Sequence, residues 1–150
     1  MKKLIVAANK HLCALAPRYK LKYDNSMNMG LYDAECGMAR PVANLSGGES
    51  FLVSLSLALG LSSLASQRVR IDTLFLDEGF GSLDEKKLQK AIDVLRNLGE
   101  SGDKQIGVIS HVDLVKDGIP NHIEVIPVGN GRSRIVGAGV EEFKRQNLSA

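Results

Sequence analysis

Tryptophan is absent from this 150-residue sequence, and aromatic residues make up only 5% of it. A base-stacking platform for single-stranded nucleic acid, which needs successive exposed rings, is therefore a poor fit. Two cysteines, Cys13 and Cys36, make neither a disulfide framework nor a metal site, and they point to a reducing cytoplasm. The most apolar stretch, Phe51 to Leu64, is broken by serines and falls short of the ~18–20 uninterrupted apolar residues of a membrane span. No secretory leader is visible, because Asn9, Lys10 and His11 interrupt the short apolar patch after Met1. Excess charge is missing too: the net charge is +2 beside 44% hydrophobic content, which argues against disorder. The sequence thus predicts one soluble globular unit, with a core large enough to fold.

The charge is unevenly spread. Residues 1–24 hold six basic residues against one acid, and the remainder thirteen against sixteen. A basic end on a mildly acidic body fits either a nucleic-acid contact or a solvated surface.

Residues 1–16 read as a helix stopped by Pro17, with Ile5, Ala8, Leu12 and Leu15 at the 3-4-3 spacing shared by coiled coils and amphipathic helices. Arg18 to Tyr23 alternates base and apolar residue, the pattern of a strand with one buried and one cationic face. Arg18, Lys20 and Lys22 would then share an exposed face able to follow a phosphate backbone. Residues 24–44 predict one or two further short strands. Ser46 and Glu49 have capping-box spacing ahead of a long, largely buried helix running to Ala65. Ile71 to Leu76 reads as a buried strand, and Ser82 with Glu85 as a second capping box. The helix after it presents Leu88, Ile92, Leu95 and Leu98 and closes at Gly99. Gln105 to Ser110 is another short strand. Gly129-Asn130-Gly131 joins His122–Val128 and Arg132–Val140 as a hairpin. Strand–helix–strand alternation in the middle predicts an α/β fold with a mostly parallel sheet flanked by helices.

Three features carry chemistry. The strand ending at Leu76 delivers Asp77 and Glu78 to the carboxyl edge of that sheet, where ligands of such folds sit. Asp77 suits magnesium, a hard cation that prefers carboxylate oxygen, and Glu78 suits a base that polarises water. Ser46-Gly47-Gly48 opens a helix, where free N–H groups and the helix dipole attract anions. His111 ends the neighbouring strand at the same edge, whereas His11 and His122 carry only a structural reading.

In this order the motifs resemble the C-terminal half of an ABC-type ATPase head. Leu45 to Ser50 is similar to the signature motif and Ile71 to Glu78 to Walker B. Gly79 to Asp84 is similar to the D-loop, and Ser110-His111 to the switch histidine. Transporters of this class usually carry glutamine where Glu49 stands, and chromosome-structuring SMC proteins usually differ after the Walker B glutamate. Asp77 to Asp84 and the Arg18-Tyr19 pair behind a heptad-patterned helix resemble the SbcC family of double-strand-break-repair ATPases. An SMC-type head lobe and a transporter-like fragment are the alternatives. The resemblance implies that residues 1–17 end a coiled-coil arm, that 18–150 form one lobe of a split ATPase domain, and that the natural chain continues upstream of Met1.

One absence limits the chemistry. A phosphate-cradling P-loop needs G-x-x-x-x-G-K-[ST], and no Gly-Lys pair occurs. The resemblance places that Walker A lobe elsewhere in the same protein. It further implies that Ser46, Gly47, Gly48 and Glu49 close over ATP held by a second head of a homodimer. Asp77 would hold Mg2+, Glu78 would orient the attacking water, and His111 would meet the γ-phosphate. Ser82 and Asp84 would link the two sites. Its implied partners are double-stranded DNA and an SbcD-like nuclease, with no membrane, a cytoplasmic location and association with the nucleoid through DNA. The isolated chain is predicted to be inactive.

Overall fold

Four residues of the first helix organise one half of the molecule. In the computed structural model, which describes residues 1–24, 28–65, 73–101, 105–137 and 139–140, helix α1 spans Lys2–Leu15 and buries Ile5, Ala8, Leu12 and Leu15. That stripe packs against helix α2, Gly47–Ala65, which buries Leu52, Val53, Leu55 and Leu59. Gly60 lets the two helices touch: a Cβ there would lie 2.6 Å from the Ala8 backbone nitrogen. The heptad-spaced residues are thus spent inside the lobe. Helix α2 is long and apolar enough to cross a membrane by length and composition alone, yet its inner face is core.

Strands β1 (Tyr19–Tyr23), β2 (Met29–Asp33) and β3 (Met38–Pro41) follow α1 as an antiparallel sheet in sequence order. Leu21 and Leu31 face each other across it, both buried. Asn9 of α1 fastens the sheet's edge: its side-chain oxygen accepts from Leu21 N–H (2.8 Å) and its amide donates to Leu21 C=O (2.9 Å). The side chain so stands in for a neighbouring strand and satisfies an edge backbone pair.

Strand β4 (Thr73–Asp77), helix α3 (Glu85–Glu100) and strand β5 (Gln105–Ile109) form the expected parallel crossover, in register from Thr73↔Gln105 to Asp77↔Ile109. Ile71 and Asp72 of the predicted strand lie outside the described residues. Helix α3 buries Leu88, Ala91, Ile92 and Leu95, and Leu74, Leu76, Ile106 and Val108 pack on the same core. A short helix α4 (Asp113–Gly118) precedes the hairpin of β6 (Ile123–Gly129) and β7 (Arg132–Gly137). Asn130 and Gly131 both have positive φ, as a two-residue hairpin turn requires.

The α/β lobe is thus as expected, with three differences of detail. Among the described residues parallel pairing is confined to β4 and β5, because the links between β1, β2 and β3 are too short for a crossover. Helix α3 is capped by Asp84, whose carboxylate accepts from Lys87 N–H at 3.0 Å, and not by Ser82. The same helix passes through Gly99 and ends at Glu100. The expected cationic face is also reduced. Arg18 precedes β1 and is tied to Asp33 (2.5 Å) and Glu35 (2.7 Å). Lys22 sits over the Tyr32 ring at 3.7 Å.

Candidate ATPase half-site

The carboxyl ends of β4 and β5 bring the two predicted catalytic groups together. Glu78 leaves β4 with φ of 58°, a left-handed conformation that non-glycine residues seldom adopt. Its N–H donates to Ile109 C=O at 2.9 Å, extending the β4–β5 ladder by one step. That turn sets the Glu78 carboxylate 3.0 Å from His111 Nδ1. Both groups face solvent, the Glu78 side chain 50% and the His111 side chain 80% exposed. Asp77, at the last position of β4, is exposed beside them. Among the described residues no group of three or more metal-binding side chains converges. Asp77 offers hard carboxylate oxygen of the kind Mg2+ takes, but only part of a coordination shell.

The chain then folds back onto α2. Gly79, at φ 95°, leads into a 3-10 turn from Phe80 to Ser82. Phe80 is fully buried, with its ring centroid 4.8 Å from that of Phe51 on α2. Ser82 Oγ donates to Gly79 C=O at 2.7 Å. This turn lies on the first residues of α2: a Cβ on Gly48 would fall 2.8 Å from Ser82 C=O. A side chain at position 48 would therefore push the two segments apart, which gives that glycine a steric reason. Asp84, besides capping α3, pairs with Lys87 at 2.5 Å, and this contact lowers its pKa.

At the start of α2 the predicted capping box is closed. Ser46 N–H donates to Glu49 Oε2 (2.9 Å), and Glu49 N–H donates to Ser46 Oγ (3.3 Å). Ser46 and Gly47 are exposed, Gly48 half-buried and Glu49 buried. The carboxylate of Glu49 has two more partners, Tyr19 Oη at 2.9 Å and Arg40 Nη2 at 2.6 Å. Burial alone pushes its pKa up. The bonds from Ser46 N–H, Arg40 and Tyr19 outweigh that and hold it at about 2. Burial, and after it the bond to this carboxylate, raises the Tyr19 pKa. Sequence reasoning placed Glu49 in the motif but missed Tyr19 and Arg40, which stand 30 and 9 residues away.

The sequence model of a family described as "SbcC/RAD50-like, Walker B motif" matches residues 14–97. The SbcC component of the nuclease SbcCD from Pseudomonas aeruginosa is 48% identical over 134 residues, covering 88% of this chain and 11% of that protein. Its counterpart from Rhodobacter capsulatus is 46% identical over 140 residues, covering 91% and 11%. The chain thus spans about a tenth of the length of the curated relatives it matches. The Smc head domain of Pyrococcus furiosus, solved with an extended coiled coil, shares the fold at a TM-score of 0.72 and 16% identity. That match covers 99% of this chain and 37% of the other.

Proposed function

The chain belongs to the SbcC/RAD50-like family, and from that premise we propose that it is the C-terminal ATPase lobe of an SbcC-like protein whose heads bind and hydrolyse ATP to control DNA end processing. The observation that carries the proposal is the Glu78 carboxylate held on His111 at the carboxyl edge of a parallel strand pair, next to Asp77. Identity favours this reading over an SMC head, since the two SbcC proteins are 46–48% identical and the Smc head 16%.

In this mechanism the Walker A lobe of the same protein grips ATP. Ser46 Oγ and the N–H groups of Gly47 and Gly48 from a second head close over the γ-phosphate, as a helix N-terminus suits an anion. Glu78 accepts a proton from the attacking water, and His111 orients that carboxylate and meets the phosphate. Asp77 would hold Mg2+, which neutralises charge on the phosphates. Ser82 and Asp84, on the turn packed against α2, link one site to the other. ATP favours closed heads because it binds them better than open ones, and hydrolysis releases them. The coiled-coil arm would continue from α1.

The Walker A lobe has a surface to cover. Strands β4 and β5 form a two-stranded sheet in which Phe75 is 72% exposed and Ile109 is also exposed. An isolated pair of this kind is marginal without further packing. A nuclease partner of the SbcD type, double-stranded DNA and a cytoplasmic site of action complete the proposal. The chain alone neither holds ATP tightly nor turns it over.

The test is Glu78→Gln in the full-length protein. The variant is expected to lose roughly 10²-fold or more in turnover while ATP-bound dimers accumulate. Full turnover in that variant would move the base to another residue.

A further inference from the structure

We propose that Glu49 is a positioning residue through which Tyr19 and Arg40 set the shape and charge of the turn that closes over phosphate. The inference rests on the ATPase reading above.

A capping box needs only Ser46 and Glu49. Here the carboxylate also gathers groups from two other elements, Tyr19 of β1 and Arg40 of β3, both on Oε1. Oε2 is left for Ser46 N–H, immediately ahead of Gly47 and Gly48. Ser46 Oγ accepts from Glu49 N–H, and its side chain also helps hold the Glu49 carboxylate, so a phosphate oxygen would draw the hydroxyl proton from a position this carboxylate sets. The carboxylate thus fixes both the backbone and the hydroxyl of the turn.

Its charge needs compensation. A carboxylate bonded to Ser46 N–H stands beside N–H groups meant for a polyanion and would repel it. Arg40 at 2.6 Å cancels that charge locally. Tyr19 supplies the mechanical link. It lies four residues past the end of α1, its N–H donating to Ala16 C=O at 3.0 Å. Its buried ring lies under the Arg18 guanidinium, 4.9 Å from the ring centroid. Arg18 in turn is held by two bonds to Asp33 on β2. A rotation of α1 or a slide of β1 against α2 therefore moves the hydroxyl on Glu49, and Glu49 passes the change to Ser46.

The experiment uses the full-length protein with its nuclease partner and compares Tyr19→Phe, Arg40→Gln, Arg40→Lys and Glu78→Gln. It reads the ATP concentration for half-maximal head association, turnover at saturating ATP and the melting temperature. Tyr19→Phe is expected to raise the ATP requirement roughly three- to tenfold, the size of one ordinary hydrogen bond lost. Its turnover at saturation should stay within about twofold. Arg40→Gln should raise the requirement further, and Arg40→Lys, which keeps the charge, should recover part of it. An unchanged ATP requirement in Tyr19→Phe and Arg40→Gln, or a fall in melting temperature alone, overturns the proposal. Glu78→Gln separates the two readings. If it traps ATP-bound dimers while the other variants are silent, the positioning role fails and the ATPase reading stands. If it traps none, both fail.

Discussion

Around Glu49, three elements converge on one carboxylate and leave the residue 9% exposed. Twenty-nine positions along the chain, the Glu78 side chain bonds His111 at the open end of a two-stranded sheet. The first region is packed on both sides, with α1 and α2 crossing at Gly60 and Asn9 closing the edge of β1. The second leaves Phe75, Ile109 and the apolar residues Ile123 and Val125 of β6 toward solvent. The turn proposed to close over phosphate is packed within this chain, whereas the end proposed for hydrolysis leaves apolar side chains open to solvent.

Core truncation should break that contrast most strongly. In the isolated chain, Leu12→Ala is expected to cost about 2–5 kcal/mol, because Leu12 is fully buried between α1 and α2. Phe75→Ala should stay within about 0.5 kcal/mol there, as exposed sites do. Chemical denaturation of the two variants checks this, and equal losses would erase the distinction between the regions.

Acid should act next, and on the finished region. Glu49 is held at about 2 against an ordinary 4.5, and Asp33 at about 2 against 3.8, the latter chiefly by the bond from Arg18. Both values are depressed, so their stabilisation is complete above pH 4.5 and is lost as pH falls toward 2. Melting temperature should therefore drop through that window. Glu49→Gln should make the drop shallower; an unchanged slope would show that its carboxylate is not what acid titrates.

Local features were legible in the sequence because their partners lie within a few residues. The Ser46–Glu49 box and the Asn130-Gly131 hairpin belong to this class, as does the helical stripe of α3. The pairing of Glu78 with His111 was legible at the level of a shared sheet edge, since both end parallel strands. The rest depended on tertiary arrangement. Nothing local couples Tyr19 to Glu49, or shows that the stripe of α1 packs on α2. Ser82 and Asp84 competed for one cap, and Asp84 took it because the Phe80–Ser82 turn ties Ser82 Oγ back to Gly79. Arg18 looked like part of a cationic face until Asp33 and Glu35 claimed it.

The central claim is that this lobe holds half of an ATPase site, and reconstitution tests it most directly. ATP turnover would be measured for the purified chain alone, for the Walker A lobe alone and for the two together. Turnover is expected only in the mixture, accompanied by slower amide exchange in β4 and β5. Turnover by the chain alone, or a mixture that leaves β4 and β5 as exchangeable as before, would contradict it.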